Sequence, residues 1–115
     1  MAAVTLHKGS PEVVDYTPGS AAAAGDVVEV GLNCYVIPAA IAANELGTAY
    51  ANNGVYKATQ DGTIDNPGVK VYWDNTAGKM TVTSTSNVAF GVSMPDQGAG
   101  NDGDTVYVQH IANTA

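Results

Sequence analysis

Short runs in which β-branched and aromatic residues alternate with polar ones recur along this chain. Gly, Asn, Asp or Pro interrupts each run before it grows long. A period of two puts successive side chains on opposite faces, which suits a strand with one buried and one wetted face. Strands are predicted at Val4–Lys8, Glu12–Thr17, Asp26–Val30, Cys34–Ile37, Thr48–Ala51, Val55–Thr59, Val69–Asp74, Lys79–Ser84, Val88–Met94 and Thr105–Ile111. Many short strands separated by turn residues read as an all-β sandwich or barrel. Only Pro38–Leu46 competes, because its alanines favour helix. It is too short to hold a helix alone, so an irregular crossing is expected, with a single helical turn as the alternative.

With 115 residues the chain has room for one domain. Its apolar content leans on Ala and Val, with one Phe and one Trp, so the core is expected to be thin. The small residues and glycines of Thr17–Asp26 make a compliant connection. They divide residues 1–17, an N-terminal arm, from residues 18–115, the folded body. Gly9-Ser10-Pro11 interrupts the arm, so any strand pairing there falls into two pieces.

Charge narrows the function classes. The chain has 4 Lys, no Arg and 11 Asp plus Glu, a net charge of -7. Nucleic-acid binding needs a cationic footprint, and an anionic membrane surface would repel this chain. A single Cys excludes an intrachain disulfide and a metal site of paired cysteines. No apolar run approaches the ~18 residues of a membrane span, and the N-terminal residues do not read as a signal peptide.

The stretch Gly68–Thr85, "GVKVYWDNTAGKMTVTST", holds the only Trp and two of the lysines. Taken as a hairpin with Asn75-Thr76-Ala77-Gly78 as its loop, it pairs Asp74 with Lys79, Trp73 with Met80 and Tyr72 with Thr81. Val69, Val71, Trp73, Met80 and Val82 then share an apolar face, while Lys70, Tyr72, Thr81 and Thr83 share a polar one, as a half-buried hairpin requires. Gly78 ends the loop with positive φ. A phosphate loop needs a Gly, four intervening residues and then Gly-Lys; Trp73 stands at the first Gly position.

Catalytic constellations are weak. Cys34 lies in an apolar run and reads as a core residue. The candidate bases are His7 and His110, and His110 alternates with Val106 and Val108 toward the core. "GVSMP", Gly91–Pro95, has Pro where a nucleophile elbow needs its second Gly. The loop Asp96–Asp104 is the best calcium candidate, yet it matches no complete calcium-loop spacing and reads as a solvated hairpin loop. No enzyme activity, cofactor or metal is expected.

Five segments in order, Val14–Gly31, Ile41–Thr59, Thr63–Thr83, Asn87–Met94 and Gly103–Ile111, make the chain similar to the capsid cement, or head-decoration, proteins of tailed bacteriophages. Val-Tyr-Trp-Asp followed by Gly-Lys and then a Gly-Val strand is the most specific part. The resemblance implies a small, β-tulip-like β-barrel over residues 18–115 that assembles as a homotrimer on the outer surface of the virion. It implies the major capsid protein and the chain itself as partners, with no nucleic acid and no membrane, after synthesis in the host cytoplasm. The N-terminal arm of such proteins commonly takes part in the capsid contact, which points to Val4, Leu6, His7, Val13 and Tyr16 as capsid-binding residues here. A different reading makes the chain a carbohydrate-binding β-domain that stacks sugars on Trp73 and its tyrosines.

Overall fold

The computed structural model describes residues 4–61, 64, 68–94 and 103–112. Its strands are β1 (Val4–Lys8), β2 (Glu12–Tyr16), β3 (Val27–Val30), β4 (Asn33–Val36), β5 (Gly47–Asn52), β6 (Val55–Thr59), β7 (Lys70–Asp74), β8 (Lys79–Thr81), β9 (Val88–Ser93) and β10 (Thr105–His110). Every predicted strand has its counterpart. Pro38–Leu46 crosses as turns and a single bridge, Ala22 to Ile41, with no helical turn.

The strands form two antiparallel sheets. The larger runs β1-β6-β10-β9-β7-β8 and the smaller β2-β5-β4-β3. Among the described residues they do not close into the expected barrel. Closure needs every edge to be paired, whereas β1 and β8 end the larger sheet and β2 and β3 the smaller. The nearest approach to closure is one parallel bridge, Gln60 to Met80, beside which the Asp61 N–H donates to the Met80 carbonyl at 2.7 Å.

The main core lies between the sheets. Val27, Cys34 and Val36 from the smaller sheet meet Tyr56, Val71, Trp73, Met80, Phe90, Val106 and Val108 from the larger. Burying each large apolar side chain stabilises the fold by roughly 1.5–3 kcal/mol. The Cys34 thiol donates to the Ala89 carbonyl across the layer at 3.8 Å. Alternation along β3, β4 and β5 turns Val28, Tyr35 and Ala49 the other way. There they join Ala22, Ile37 and Ile41 in a second cluster under the crossing segments.

Residues 4–16 are built into this body. β1 pairs with β6 and β2 pairs with β5, so consecutive strands enter different sheets. Val4, expected as a capsid contact, is 3% exposed and part of the main core. That is a correction. Its N–H donates to the Gly25 carbonyl at 3.0 Å, and its side chain points between the layers with Ala58 opposite.

The hairpin of β7 and β8 has the expected register, Tyr72 to Thr81, Trp73 to Met80 and Asp74 to Lys79. Val71, Trp73 and Met80 are buried. Gly78 has φ 69, and its N–H donates to the Asp74 carbonyl at 2.8 Å. Val82 departs from expectation: it lies beyond β8 and is 44% exposed. The Thr81 hydroxyl accepts the Thr83 N–H at 3.2 Å, which turns the chain out of the ladder before Val82 can face the core.

Candidate interaction surface

The groups that nucleophilic chemistry would need are present in the wrong state. Cys34 is fully buried, and burial, reinforced by the charge of Glu29, pushes its thiol up to about 12. His110 is fully buried as well. Its ring stacks on Phe90 at 4.5 Å and meets Tyr56 edge-on at 6.0 Å. Burial pushes the imidazole down to about 4, and the backbone of Cys34 offsets this only in part. Neither ring nitrogen makes a hydrogen bond of good geometry. A protonated thiol directed at a carbonyl and a neutral, enclosed imidazole do not form a nucleophile and its base.

The other candidates resolve into structure. Ser93 is buried, and its hydroxyl accepts the Val69 N–H at 3.1 Å. Trp73 is 3% exposed, and its indole N–H donates to Asn75 Oδ1 at 3.2 Å, so its ring offers no platform to a sugar. His7 is exposed on β1 with its ring 4.6 Å from that of Tyr107. Most of the candidate calcium loop Asp96–Asp104 lies outside the described residues. Among the described residues no group of three His, Cys, Asp or Glu side chains converges to hold a metal.

What remains is surface, and it is divided by charge. All four lysines stand on strands of the larger sheet: Lys8 on β1, Lys57 on β6, Lys70 on β7 and Lys79 on β8. The only carboxylate on those six strands is Asp74, and its Oδ1 is taken by the N–H groups of Thr76 and Ala77 at 3.0 and 3.1 Å. The smaller sheet has no lysine and three carboxylates, Glu12, Asp15 and Glu29, all exposed. Sequence order hid this division, because it depends on which strands share a sheet.

The register gives the cationic face its layout. Lys8, Val55, Gln109, Val92 and Lys70 form one row across β1, β6, β10, β9 and β7. Four strand spacings put Lys8 and Lys70 about 19 Å apart. Thr5, Lys57 and Tyr107 form the next row. Lys70 reaches over the Tyr72 ring, 5.5 Å from its centroid, a cation–π placement. Among the described residues the exposed large apolar side chains are Leu6, Val13, Leu32, Leu46, Val82 and Ile111, and Ile111 lines a hollow beside Lys70.

With Cys34 and His110 enclosed in the core, the exposed side chains of this two-sheet β-body are what it offers to other molecules. The family comparison agrees: the model described as phage cement protein matches residues 8–110. The chain belongs to the phage cement protein family. Neither a curated protein nor a solved structure matches it. The phage cement family is a structural one, so the chain is a structural component associated with a bacteriophage capsid. Of the residues expected to touch the capsid, Leu6, His7 and Val13 are exposed, Tyr16 is half-buried against Tyr35, and Val4 is interior. The phage cement match begins at residue 8, so it covers β2 whole and only the last residue of β1.

Proposed function

We propose that this chain decorates the outside of a phage head as a homotrimer, joins neighbouring major capsid proteins, and stabilises the shell against the outward pressure of packaged DNA. The observation that carries this reading is the family match over residues 8–110. The free edge of β2 supports it. That strand exposes Val13 at 56% and, among the described residues, pairs only with β5, leaving its other side as an edge. Such an edge can add to a strand of another protein through backbone hydrogen bonds, which need little side-chain identity. Leu6, His7 and Val13 are the residues we assign to the capsid contact, with Tyr16 supporting them from the same strand as Val13.

The test uses heads of the encoding phage assembled without this protein. Adding the purified chain back should restore resistance to heat, with full occupancy at saturating protein. Heads that neither bind the chain nor gain stability overturn the reading. Val13→Asp should weaken head binding several-fold without changing the melting temperature of the free protein.

A further inference from the structure

We infer that the outer face of the larger sheet docks an acidic segment of the major capsid protein, whose carboxylates meet Lys57 and Lys70 while one of its apolar side chains enters the hollow beside Lys70. The inference rests on the reading above and deepens it by naming the chemistry the capsid must present. The outer face of the smaller sheet is already occupied, since Val28, Tyr35 and Ala49 pack there against Ala22, Ile37 and Ile41. Among the described residues no such layer lies over the larger sheet, where Thr5, Lys57, Lys70 and Thr105 are exposed.

The layout of this face sets what fits it. Lys57 and Lys70 stand three strand spacings and one row apart, about 16 Å, which an extended segment of about five residues spans. Asp74, the only carboxylate on these six strands, lies opposite Lys79 and is engaged by its own turn. Beside Lys70 is a hollow of about 220 Å³ lined by Ala89, Val92, Ile111 and Ala112. A Cβ on Gly91 would collide with the Gln109 carbonyl, so bare backbone floors this hollow. Ile111 is 45% exposed at its rim. An apolar side chain flanked by carboxylates complements both features, and Tyr72 and Tyr107 add the amphipathic area enriched at protein interfaces.

Charge and continuity decide the occupant. A nucleic acid or an anionic membrane presents a continuous negative field, which a chain of net charge -7 opposes. A protein segment with two or three carboxylates presents its charge only where the lysines stand. His7, assigned above to the capsid contact, lies on this same face, its ring 4.6 Å from that of Tyr107 in the row of Lys57. The lysine face thus continues the surface already assigned to the capsid.

The test uses heads assembled without this protein and the purified full-length chain. Wild-type binding should weaken about tenfold or more as salt rises from about 50 to 500 mM. K57Q/K70Q should weaken binding about 10- to 100-fold at low salt and I111D about tenfold, with melting temperatures close to the wild type. A42E/A43E changes the net charge by as much as K57Q/K70Q, but on the exposed crossing segment over the smaller sheet, and should bind like the wild type. A carbodiimide, which joins an amine to a carboxylate in contact with it, should link Lys57 and Lys70 to Asp or Glu of the major capsid protein in decorated heads.

Binding by K57Q/K70Q or I111D within about twofold of the wild type overturns the inference. An equal loss in A42E/A43E also overturns it, because net charge then accounts for the effect. Links from these lysines only to carboxylates of a neighbouring copy overturn it as well. Heads that the wild type never binds overturn the decoration reading itself. Heads bound and stabilised equally by the wild type and K57Q/K70Q remove this inference alone.

Discussion

Gly9 and Gly54 meet back to back where the chain passes from one sheet to the other. Gly9 leads from β1 to β2 and Gly54 from β5 to β6, and a Cβ on Gly9 would stand 3.1 Å from the Gly54 Cα. Both have positive φ, 97 and 90, a region that side-chain-bearing residues adopt only at a cost. The two crossings are thus packed as a unit, and Asn53 before Gly54 donates its N–H to the His110 carbonyl at 3.0 Å.

Gly9→Ala and Gly54→Ala should each destabilise the protein by about 1–3 kcal/mol. The second also meets the Leu6 and Pro11 side chains at 3.1 Å. Because the sites touch, the double variant should depart from additivity. Chemical denaturation of the four proteins of the cycle measures this, and strictly additive losses would show the crossings to be independent.

His110 makes stability depend on acidity. Its folded value of about 4 lies below the ordinary 6.5, so the neutral form is the one the fold favours. Its contribution is complete above pH ~6.5 and falls away as pH drops toward 4, by roughly 3 kcal/mol in the limit. Tyr56 and Cys34 are the titratable groups packed nearest, and both are uncharged in this range. His110→Leu should flatten the loss of stability between pH 7 and pH 4.5. An unchanged slope in urea titrations at the two pH values would assign the acid sensitivity to carboxylates instead.

Cys34 should be inert in the native protein. A thiol held at about 12 carries almost no thiolate at pH 8. A chromogenic disulfide reagent should therefore react only in denaturant, at the rate of an ordinary cysteine. Stoichiometric reaction of the folded protein within minutes would contradict the burial of this side chain.

Tyr56→Phe should be neutral or stabilising by up to ~1 kcal/mol. The Tyr56 hydroxyl is buried without a hydrogen-bond partner, and an unsatisfied buried group carries its desolvation penalty uncompensated. The ring itself packs edge-on against Phe90 at 5.8 Å, and Phe keeps that contact. A loss above ~1 kcal/mol in thermal or chemical unfolding would mean that the hydroxyl has a partner.

Strand positions were legible because each depends on a few neighbouring residues. The Trp73–Met80 register followed from local alternation and a four-residue turn, and Gly9-Ser10-Pro11 marked a division into two strands. Val82 escaped this reasoning, since alternation carries no information about where a ladder ends. Val4 escaped it for a different reason. Its burial depends on β6, some fifty residues later, and nothing local distinguishes an edge strand from a free arm. The open arrangement of two sheets and the division of charge between them are likewise products of long-range pairing. The interior placement of Cys34 and His110 was partly readable, since both sit in apolar runs, but the Phe90 stack appears only in three dimensions.

The attachment of β1 to β6 and of β2 to β5 also sets an order of synthesis. When the first sixteen residues leave the ribosome, neither of their partner strands exists. Both partners arrive together, as Gly47–Thr59 emerges. Until then the nascent chain carries two unpaired strand segments and an exposed Val13, a period in which another chain can compete for them. The protein then gains both outer strands in one step, so its folding and its exposure to mispairing are governed by the same short stretch in mid-chain.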